Sequence, residues 1–484
     1  MGSDVTPERT EARVSRSPSR EDPLARLATT WLGGPVGLHA RLGGARWTPL
    51  AVAFAVTTGM FVLGVLQKVP CHGVGWPRES GYAFSHLCYT DVPYLYRERG
   101  FAQGNLAYLD TGNYPPLEYP VLTGAVMQVT AWLTRAFGSG DAVRDSVLYF
   151  DLAVVFLFGC ALVTVWALAR LCLRRPYDVL FFAAAPVLAL AGTINWDLAA
   201  VALTTCALLA WSRSRPYLAG ILIGLGVATK FYPLLLLGPL LVLALRTGRM
   251  RMWATTALSA LAAWLVVNLP VLLLAESSWA VFWSFNTARM GDFGSIWYVL
   301  GLAGHPLRAV NTVSLGLFGL ACAGVAALGL FAPRRPRLAQ LAFLTVAAFL
   351  LVNKVYSPQY VLWLLPLVAL ARPRWRDWAI WQAGELLYWL AIWLHLSGTL
   401  AAGGAGRLYW LAVVVRMATT GYLCVLVVRD ILRPSADVVR AGGQVDDPTG
   451  GPFDGAADAA GWRRGRLRSP EPIERALQEE GVAR

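Results

Sequence analysis

The 484-residue sequence has little charge and almost no lysine. Charged residues make up 15% of it and hydrophobic residues 56%, whereas about a quarter of a typical soluble domain is charged. This deficit excludes an ordinary soluble protein and indicates that most of the chain is solvated by lipid. Only three of the 42 basic residues are lysines, namely Lys68, Lys230 and Lys354. In such an arginine-biased composition, each remaining lysine hints that a compact ammonium group is needed there.

The sequence also lacks the motifs of several other kinds of chemistry. It has neither a Cys-x-x-Cys pair nor the Cys/His spacing of a metal site, and no Gly-rich nucleotide loop. The net charge of +13 does not indicate nucleic acid, because the arginines separate hydrophobic runs and lack interleaved aromatic residues. Among the seven cysteines, Cys71 and Cys88 share one polar loop, where either a disulfide or two free thiols is compatible with the sequence.

Arginine-rich loops between the hydrophobic runs predict the topology. They lie at 170–175, 213–215, 246–251, 334–337 and 372–376, and the positive-inside rule places them in the cytoplasm. The predicted fold is an all-α polytopic membrane protein, a bundle of about 12 transmembrane helices with both termini inside. The first span is expected at 48–66. The apolar segment 119–137 does not fit this count, and we interpret it as a re-entrant or juxtamembrane helix.

Composition divides the chain into three parts. Residues 1–46 are rich in Arg, Ser and Pro and lack the apolar core of a signal peptide, which predicts a disordered cytoplasmic tail. Residues 47–432 form the predicted transmembrane domain, with 68–116 as a structured first extracellular loop. Residues 433–484 are polar, and we predict a second disordered cytoplasmic tail.

Several carboxylates fall in the predicted outer loops. Asp91 lies between Cys-Tyr-Thr and Val-Pro-Tyr, an apolar and aromatic setting in which desolvation would raise its pKa towards that of a general base. The alternative is an N-cap, because Thr-Asp before proline is a good capping sequence. Asp197, two residues after Asn195, starts a predicted helix and has the same two interpretations. Glu118 lies at the entry to an apolar segment, where a carboxylate must pair or line a site.

Three cations also fall at predicted outer turns. Lys230, Lys354 and Arg289 share this side of the membrane. Snorkelling to headgroups would explain any one of them, but three cations beside amide and hydroxyl groups favour a shared site for a lipid phosphate. The neighbouring residues that we also expect to bind substrate are Tyr232, Asn353, Tyr356 and Gln359.

Five motifs, taken in order, resemble a known family. They are Tyr-Thr-Asp-Val-Pro-Tyr-Leu-Tyr at 89–96, Leu-Glu-Tyr-Pro-Val-Leu-Thr-Gly at 117–124, Ile-Asn-Trp-Asp at 194–197, Ala-Thr-Lys-Phe-Tyr-Pro at 228–233 and Asn-Lys-Val-Tyr-Ser-Pro-Gln-Tyr at 353–360. With the predicted topology, they make the chain similar to the GT-C superfamily of glycosyltransferases, which use polyprenyl-phosphate sugars. The resemblance is closest to glycosyltransferase family 87, which includes actinobacterial mannosyltransferases.

The resemblance implies an inverting hexosyltransferase of the plasma (inner) membrane, with its active site facing the exterior. Asp91 would be the catalytic base, and Lys230, Lys354 and Arg289 would hold the phosphate of a polyprenyl-phosphate sugar donor. Mannose is the sugar that the family suggests, with arabinose as an alternative, and the acceptor would be a cell-envelope glycolipid or glycan. The superfamily's paired acids are not clear in the first loop, and we predict no metal and no cofactor. The rival functions are a transporter or flippase of a lipid-linked sugar and, less compatible with the loop motifs, a non-catalytic scaffold.

Overall fold

The computed structural model describes residues 22–24, 27–28, 48–77, 81–110, 112–400, 406–443 and 445–459. The predicted N-terminal tail therefore lies almost wholly outside the described residues. Within these ranges the chain is helical and contains no β-strand, so the predicted all-α class is confirmed. The first helix begins where the sequence predicts, because the Thr48 side chain accepts a hydrogen bond from the Ala51 backbone N–H and caps it.

In chain order the α-helices are α1 (Pro49–Gly73), α2 (Gly81–Ser85), α3 (Val92–Glu98), α4 (Val121–Phe137), α5 (Ala142–Leu171), α6 (Leu180–Ala183), α7 (Pro186–Ala191), α8 (Asp197–Ser212), α9 (Pro216–Thr229), α10 (Leu237–Thr247), α11 (Met250–Leu274), α12 (Glu276–Ala288), α13 (Ile296–Leu302), α14 (Val310–Phe331), α15 (Leu338–Val352), α16 (Val361–Ala371), α17 (Trp375–Leu396) and α18 (Gly406–Leu432). Short 3-10 turns connect several of them, including Tyr232–Leu236 and Pro358–Tyr360.

Five of these helices are long and apolar enough to cross a membrane, namely α1, α5, α11, α14 and α18. Five further apolar segments have only 10–17 residues. Because a helix rises about 1.5 Å per residue, α9 extends only about 21 Å, less than the hydrocarbon core of about 30 Å. The described residues thus support a polytopic membrane protein, whereas the count of about 12 spans stays a prediction.

Helix α4 contacts residues 68–116, the predicted first outer loop, at three points along its length. Tyr108 of the loop donates a hydrogen bond to the backbone just before α4 at 2.8 Å. Gln128, in the middle of α4, accepts one from the loop backbone at 2.7 Å. Near the end of α4, the Arg135 guanidinium packs against Gly104. These contacts fix α4 against the loop, and its interpretation as a re-entrant or juxtamembrane helix stays a prediction.

The first outer loop folds back on itself through a disulfide between Cys71 and Cys88. The side chain of Trp76 has no exposed surface, and its Nε1 donates to the Cys88 carbonyl at 3.3 Å. Arg97 of α3 donates to the carbonyl of Trp76 at 2.6 Å. These contacts tie the loop to the end of α1 and hold α3, and with it the residue before α3, in one position.

The residues after α18 pack against the bundle. Arg335 donates to Asp446 at 2.6 Å and to Asp458 at 3.0 Å. Arg337 has no exposed surface and pairs with Asp437 at 2.7 Å. The described part of this segment therefore differs from the predicted disordered tail. Its composition is polar, but its aspartates match arginines of distant loops, and composition does not show such tertiary partners.

This C-terminal segment marks one end of the bundle, and the predicted outer turns mark the other. Arg246, from a second arginine-rich loop, pairs with the segment at 2.9 Å, and Arg374, from a third, donates to its backbone at 3.1 Å. Helices α10 and α15 each have one end at this segment, at Arg246 and Arg337, and the other end beside Tyr232 and Asn353, which line a cavity. Three of the five basic loops therefore meet this segment at one end of the bundle, and the side of the membrane that this end faces stays a prediction.

Candidate active site

The first outer loop and the turns after α7, α9, α12 and α15 enclose a cavity of about 720 Å³. Its polar lining residues are Asp91, Glu118, Asn195, Lys230, Asn286, Arg289, Asn353, Lys354, Ser357 and Gln359. Its aromatic lining residues are Phe84, Tyr89, Tyr119, Phe231, Tyr232, Phe282, Trp283, Phe285, Phe293, Phe349, Tyr360, Trp363 and Trp393. The volume lies within the range of about 300–1,000 Å³ that is usual for small-molecule sites. Apolar walls with a few convergent charges suit an amphipathic ligand.

Asp91 lies in the cavity wall and does not cap the helix that follows it. Its side chain makes no capping hydrogen bond to α3, so the capping alternative does not describe this carboxylate. Instead, Oδ1 accepts a hydrogen bond from the Tyr89 hydroxyl at 2.8 Å, and Oδ2 accepts one from Asn195 Nδ2 at 2.6 Å. Burial raises the pKa of Asp91 above its ordinary value, although these hydrogen bonds and the nearby Lys230 oppose the rise. Such a carboxylate is suited to accept a proton.

Asn195 joins the Asp91 carboxylate to a second phenol. The same Nδ2 group donates to the Tyr119 hydroxyl oxygen at 2.6 Å, while Asn195 Oδ1 accepts from the Trp196 backbone N–H at 2.7 Å. The first loop and this turn are also joined by their backbones, since the Asp91 N–H donates to the Ile194 carbonyl at 2.9 Å. The Asn195 amide is thereby fixed with its donor side towards the carboxylate.

Lys230 brings a cation to the same part of the cavity. Its ammonium lies 3.5 Å from Asp197 and 5.1 Å from the centre of the Tyr119 ring. Asp197 has no exposed surface and accepts a hydrogen bond from Trp363 Nε1 at 2.8 Å. A carboxylate at the first position of α8 is also favoured by the helix dipole. Asp197 therefore orients Lys230 and offsets its charge.

Lys354 and Arg289 form a second basic group in the cavity wall. The Lys354 ammonium donates to the Asn286 carbonyl at the end of α12 and to the Asn311 side-chain oxygen. Arg289 pairs with Asp292 at 2.5 Å. Partial burial, together with the charge of Arg289, lowers the pKa of Lys354. An anion that binds here would contact both cations, Lys354 and Arg289. It would either share them with their present protein partners or displace those partners.

Nine of the eleven predicted site residues line the cavity, and Asp197 and Tyr356 do not. Asp197 lies behind Lys230, as described above. The Tyr356 side chain turns away from the cavity, and its hydroxyl donates to Glu385 at 3.2 Å. Glu118 does line the cavity, but Arg99 donates to both of its oxygens, at 2.8 and 3.0 Å. Its carboxylate is therefore engaged in an ion pair.

The structure adds four residues that the sequence reasoning missed. Tyr89 and Tyr119 reach the Asp91 network described above, and Arg416 and Glu385 form a buried pair between α18 and α17. The sequence held a signal for one of them. Arg416 is the lone charged residue within the apolar run 408–428, and an ionisable residue inside a transmembrane helix is a functional candidate.

Metal-ligand side chains do not cluster in the described part of the chain. No group of three or more His, Cys, Asp or Glu residues there is placed to hold a metal ion. The absence of metal dependence stays a prediction.

Comparison with known proteins supports a glycosyltransferase. Residues 117–353, just under half of the chain, match the family model described as glycosyltransferase family 87. The matched region contains Glu118, Asn195, Lys230 and Arg289, whereas Asp91 lies before it, so the likeness of the first loop rests on its motif. No curated protein matches the chain.

Proposed function

We propose that the protein is an inverting glycosyltransferase of the plasma membrane. It transfers a sugar, mannose, from a polyprenyl-phosphate donor to a hydroxyl group of a cell-envelope glycolipid or glycan. Transfer takes place in the cavity, which opens on the outer face. The family match supports the reaction class, and the five motifs support the donor and the sugar.

One observation carries the proposal. Asp91 faces a cavity that also holds cations, and its two oxygens are fixed by Tyr89 and Asn195 rather than by a helix end. A carboxylate that only capped or only paired with a cation would not need a polar cavity in front of it. A base and an anion-binding group in one cavity are the two elements that glycosyl transfer from a lipid phosphate requires.

The mechanism follows from these positions. The acceptor hydroxyl oxygen attacks the anomeric carbon and forms the new glycosidic bond. The bond between that carbon and the phosphate oxygen breaks, and its electron pair leaves with the polyprenyl phosphate. Asp91 takes the acceptor's proton as the oxygen attacks. Direct displacement inverts the anomeric centre.

The cations act on the leaving group. Lys230, with Lys354 and Arg289, would stabilise the phosphate as negative charge develops on it. Proton transfer to a positioned base contributes roughly 10²–10⁴-fold to a rate, and oriented charges in a water-poor site usually contribute a larger share. Arg289 and Lys354 already have protein partners, so part of the donor's binding energy would be used to rearrange these contacts.

Sugar transfer by purified protein tests the proposal. The assay would supply radiolabelled decaprenyl-phosphate mannose and extracted actinobacterial envelope lipids in detergent micelles. We expect wild-type protein to form a labelled glycolipid with the anomeric configuration inverted, and Asp91→Asn to form almost none.

Two results would contradict the proposal in different ways. Formation of a labelled product at equal rates by wild type and Asp91→Asn would remove Asp91 from the mechanism. Failure to form any product, together with movement of the labelled lipid across proteoliposomes, would support the transporter instead.

A further inference from the structure

A buried ion pair lies beneath the cavity, between α17 and α18. Arg416 has no exposed surface, and its Nε donates to Glu385 Oε2 at 2.8 Å. The guanidinium also lies between two rings, 3.4 Å from the centre of Tyr356 and 4.1 Å from that of Tyr388. Burying two charges inside an apolar bundle costs several kcal/mol per ion unless every polar group is paired. Such a pair therefore calls for a functional explanation.

The remaining donors of Arg416 hold the turn at 353–360. Its two terminal nitrogens donate to the backbone carbonyls of Tyr356 and Ser357. The Tyr356 hydroxyl closes the group by donating to Glu385 Oε1 at 3.2 Å. Arg416, Glu385 and Tyr356 do not line the cavity, whereas other residues of the same turn do, namely Asn353, Lys354, Ser357, Pro358, Gln359 and Tyr360.

The same turn positions the loop that carries the second cation. The Asp292 N–H donates to the Lys354 carbonyl at 2.8 Å, and the Tyr356 N–H donates to the Phe293 carbonyl at 3.2 Å. Gly294 has φ = +77°, and a Cβ atom there would collide with the Tyr356 carbonyl and the Tyr388 hydroxyl, so a glycine is required. Arg289 precedes this loop. Movement of the turn at 353–360 would therefore displace both cations.

We infer that Arg416 and Glu385 are positioning residues for the anion-binding side of the cavity. They fix the turn at 353–360 from below, so that Lys354, Ser357 and Gln359 face one ligand. The inference rests on the proposed function for the identity of that ligand, the phosphate of a polyprenyl phosphate. Neither residue touches the ligand. An arginine suits this position because its planar fork spreads five N–H donors over a carboxylate and two carbonyls, whereas a lysine ammonium offers three donors from a single nitrogen.

A second buried arginine provides a matched control. Arg372 is 2% exposed and pairs with Asp377 at 2.7 Å and also with Asp430. It lies at the opposite end of the bundle and does not line the cavity. Arg372→Lys and Arg416→Lys thus make the same chemical change at equally buried ion pairs, and only the second change lies beneath the cavity.

The experiment measures the turn and the ligand separately. Hydrogen exchange of peptides covering 353–360 reports the order of the turn, and a shift of thermal unfolding with decaprenyl monophosphate reports phosphate binding. We expect both variants to unfold at a lower temperature than wild type. Only Arg416→Lys should speed exchange in the turn, and only it should weaken phosphate binding, by roughly tenfold for the loss of one to two hydrogen bonds. Tyr356→Phe deletes one hydroxyl and should give a smaller change in the same direction.

Several outcomes would overturn the inference. Equal loss of phosphate binding in Arg372→Lys would show a general effect of destabilisation. Unchanged exchange and binding in Arg416→Lys would remove the positioning role, and if that variant does not fold, unchanged values in Tyr356→Phe would do the same. Failure of wild-type protein to bind decaprenyl monophosphate would also overturn it. By contrast, wild-type protein that binds the phosphate but transfers no sugar would refute the proposed function and leave the positioning role intact.

Discussion

Replacing Asp91 with asparagine removes the proposed base and leaves its surroundings almost unchanged. The new amide oxygen can accept the hydrogen bond from Asn195, and the new NH₂ group can donate to the Tyr89 hydroxyl, which is able to accept. Both contacts of the carboxylate, at 2.6 and 2.8 Å, therefore have replacements. The side chain makes no capping bond, so no cap is lost.

The expected effects on stability and on rate are very different. Each exchanged hydrogen bond changes the free energy of unfolding by about 1 kcal/mol or less, since neutral and charge-assisted bonds differ by roughly that amount. Burial raises the pKa of Asp91, so at neutral pH the folded protein carries the cost of a desolvated carboxylate, and the amide relieves this cost. Turnover, in contrast, should fall by about 10²–10⁴-fold, because an amide does not take the acceptor's proton.

The assay compares turnover, donor binding and thermal unfolding for wild type and Asp91→Asn. Asp110→Asn is the matched control, because Asp110 is a carboxylate of the same loop that accepts a backbone hydrogen bond at 2.8 Å outside the cavity. Wild-type turnover should also rise with pH through an ionisation above the ordinary aspartate pKa, since only the deprotonated carboxylate acts as a base. This rise of turnover with pH should be absent from the residual activity of Asp91→Asn.

Two results would refute this reasoning. An Asp91→Asn variant that transfers sugar at the wild-type rate would show that the Asp91 carboxylate is not the base, and Glu118 would be the next candidate. A large drop in unfolding temperature, with activity lost in proportion to folded protein, would show that Asp91 is structural.

Three further predictions concern other parts of the molecule. Lys230→Ala and Lys354→Ala should each raise the KM for the donor by roughly 10–100-fold, as expected for the loss of a charge-assisted hydrogen bond, with little change in the KM for the acceptor. Steady-state kinetics that show an unchanged donor KM would refute the proposed phosphate site. Deleting 434–484 should lower the unfolding temperature in detergent, because buried arginines lose their carboxylates; an unaltered melting curve would show that the packing of this segment contributes nothing. In intact cells, a membrane-impermeant thiol reagent should label the variant Asp110→Cys and should not label Arg249→Cys. The reverse labelling pattern would show that the predicted topology is inverted.

The sequence by itself determined the fold class and most of the candidate site. Backbone groups in lipid are satisfied only in helices or closed barrels, and the strands of a barrel alternate apolar and polar residues. The long continuous apolar runs of this chain therefore predict the all-α class. The motif residues fall at the ends of hydrophobic runs, and helix ends at one face of a bundle lie close together. For this reason Asp91, Asn195, Lys230 and Lys354 meet in one cavity, although more than 250 residues of chain separate the first from the last.

Only the tertiary structure decided which way each side chain points. Within the turn at 353–360, Lys354 faces the cavity while Tyr356 faces Arg416, and no pattern in a turn predicts this difference because turns lack a fixed period. The sequence also did not predict the partners of the buried charges. Arg337 pairs with Asp437 and Arg416 with Glu385, across 100 and 31 positions of sequence, because ion pairs depend on which helices are neighbours in space, and a single sequence does not specify the neighbours.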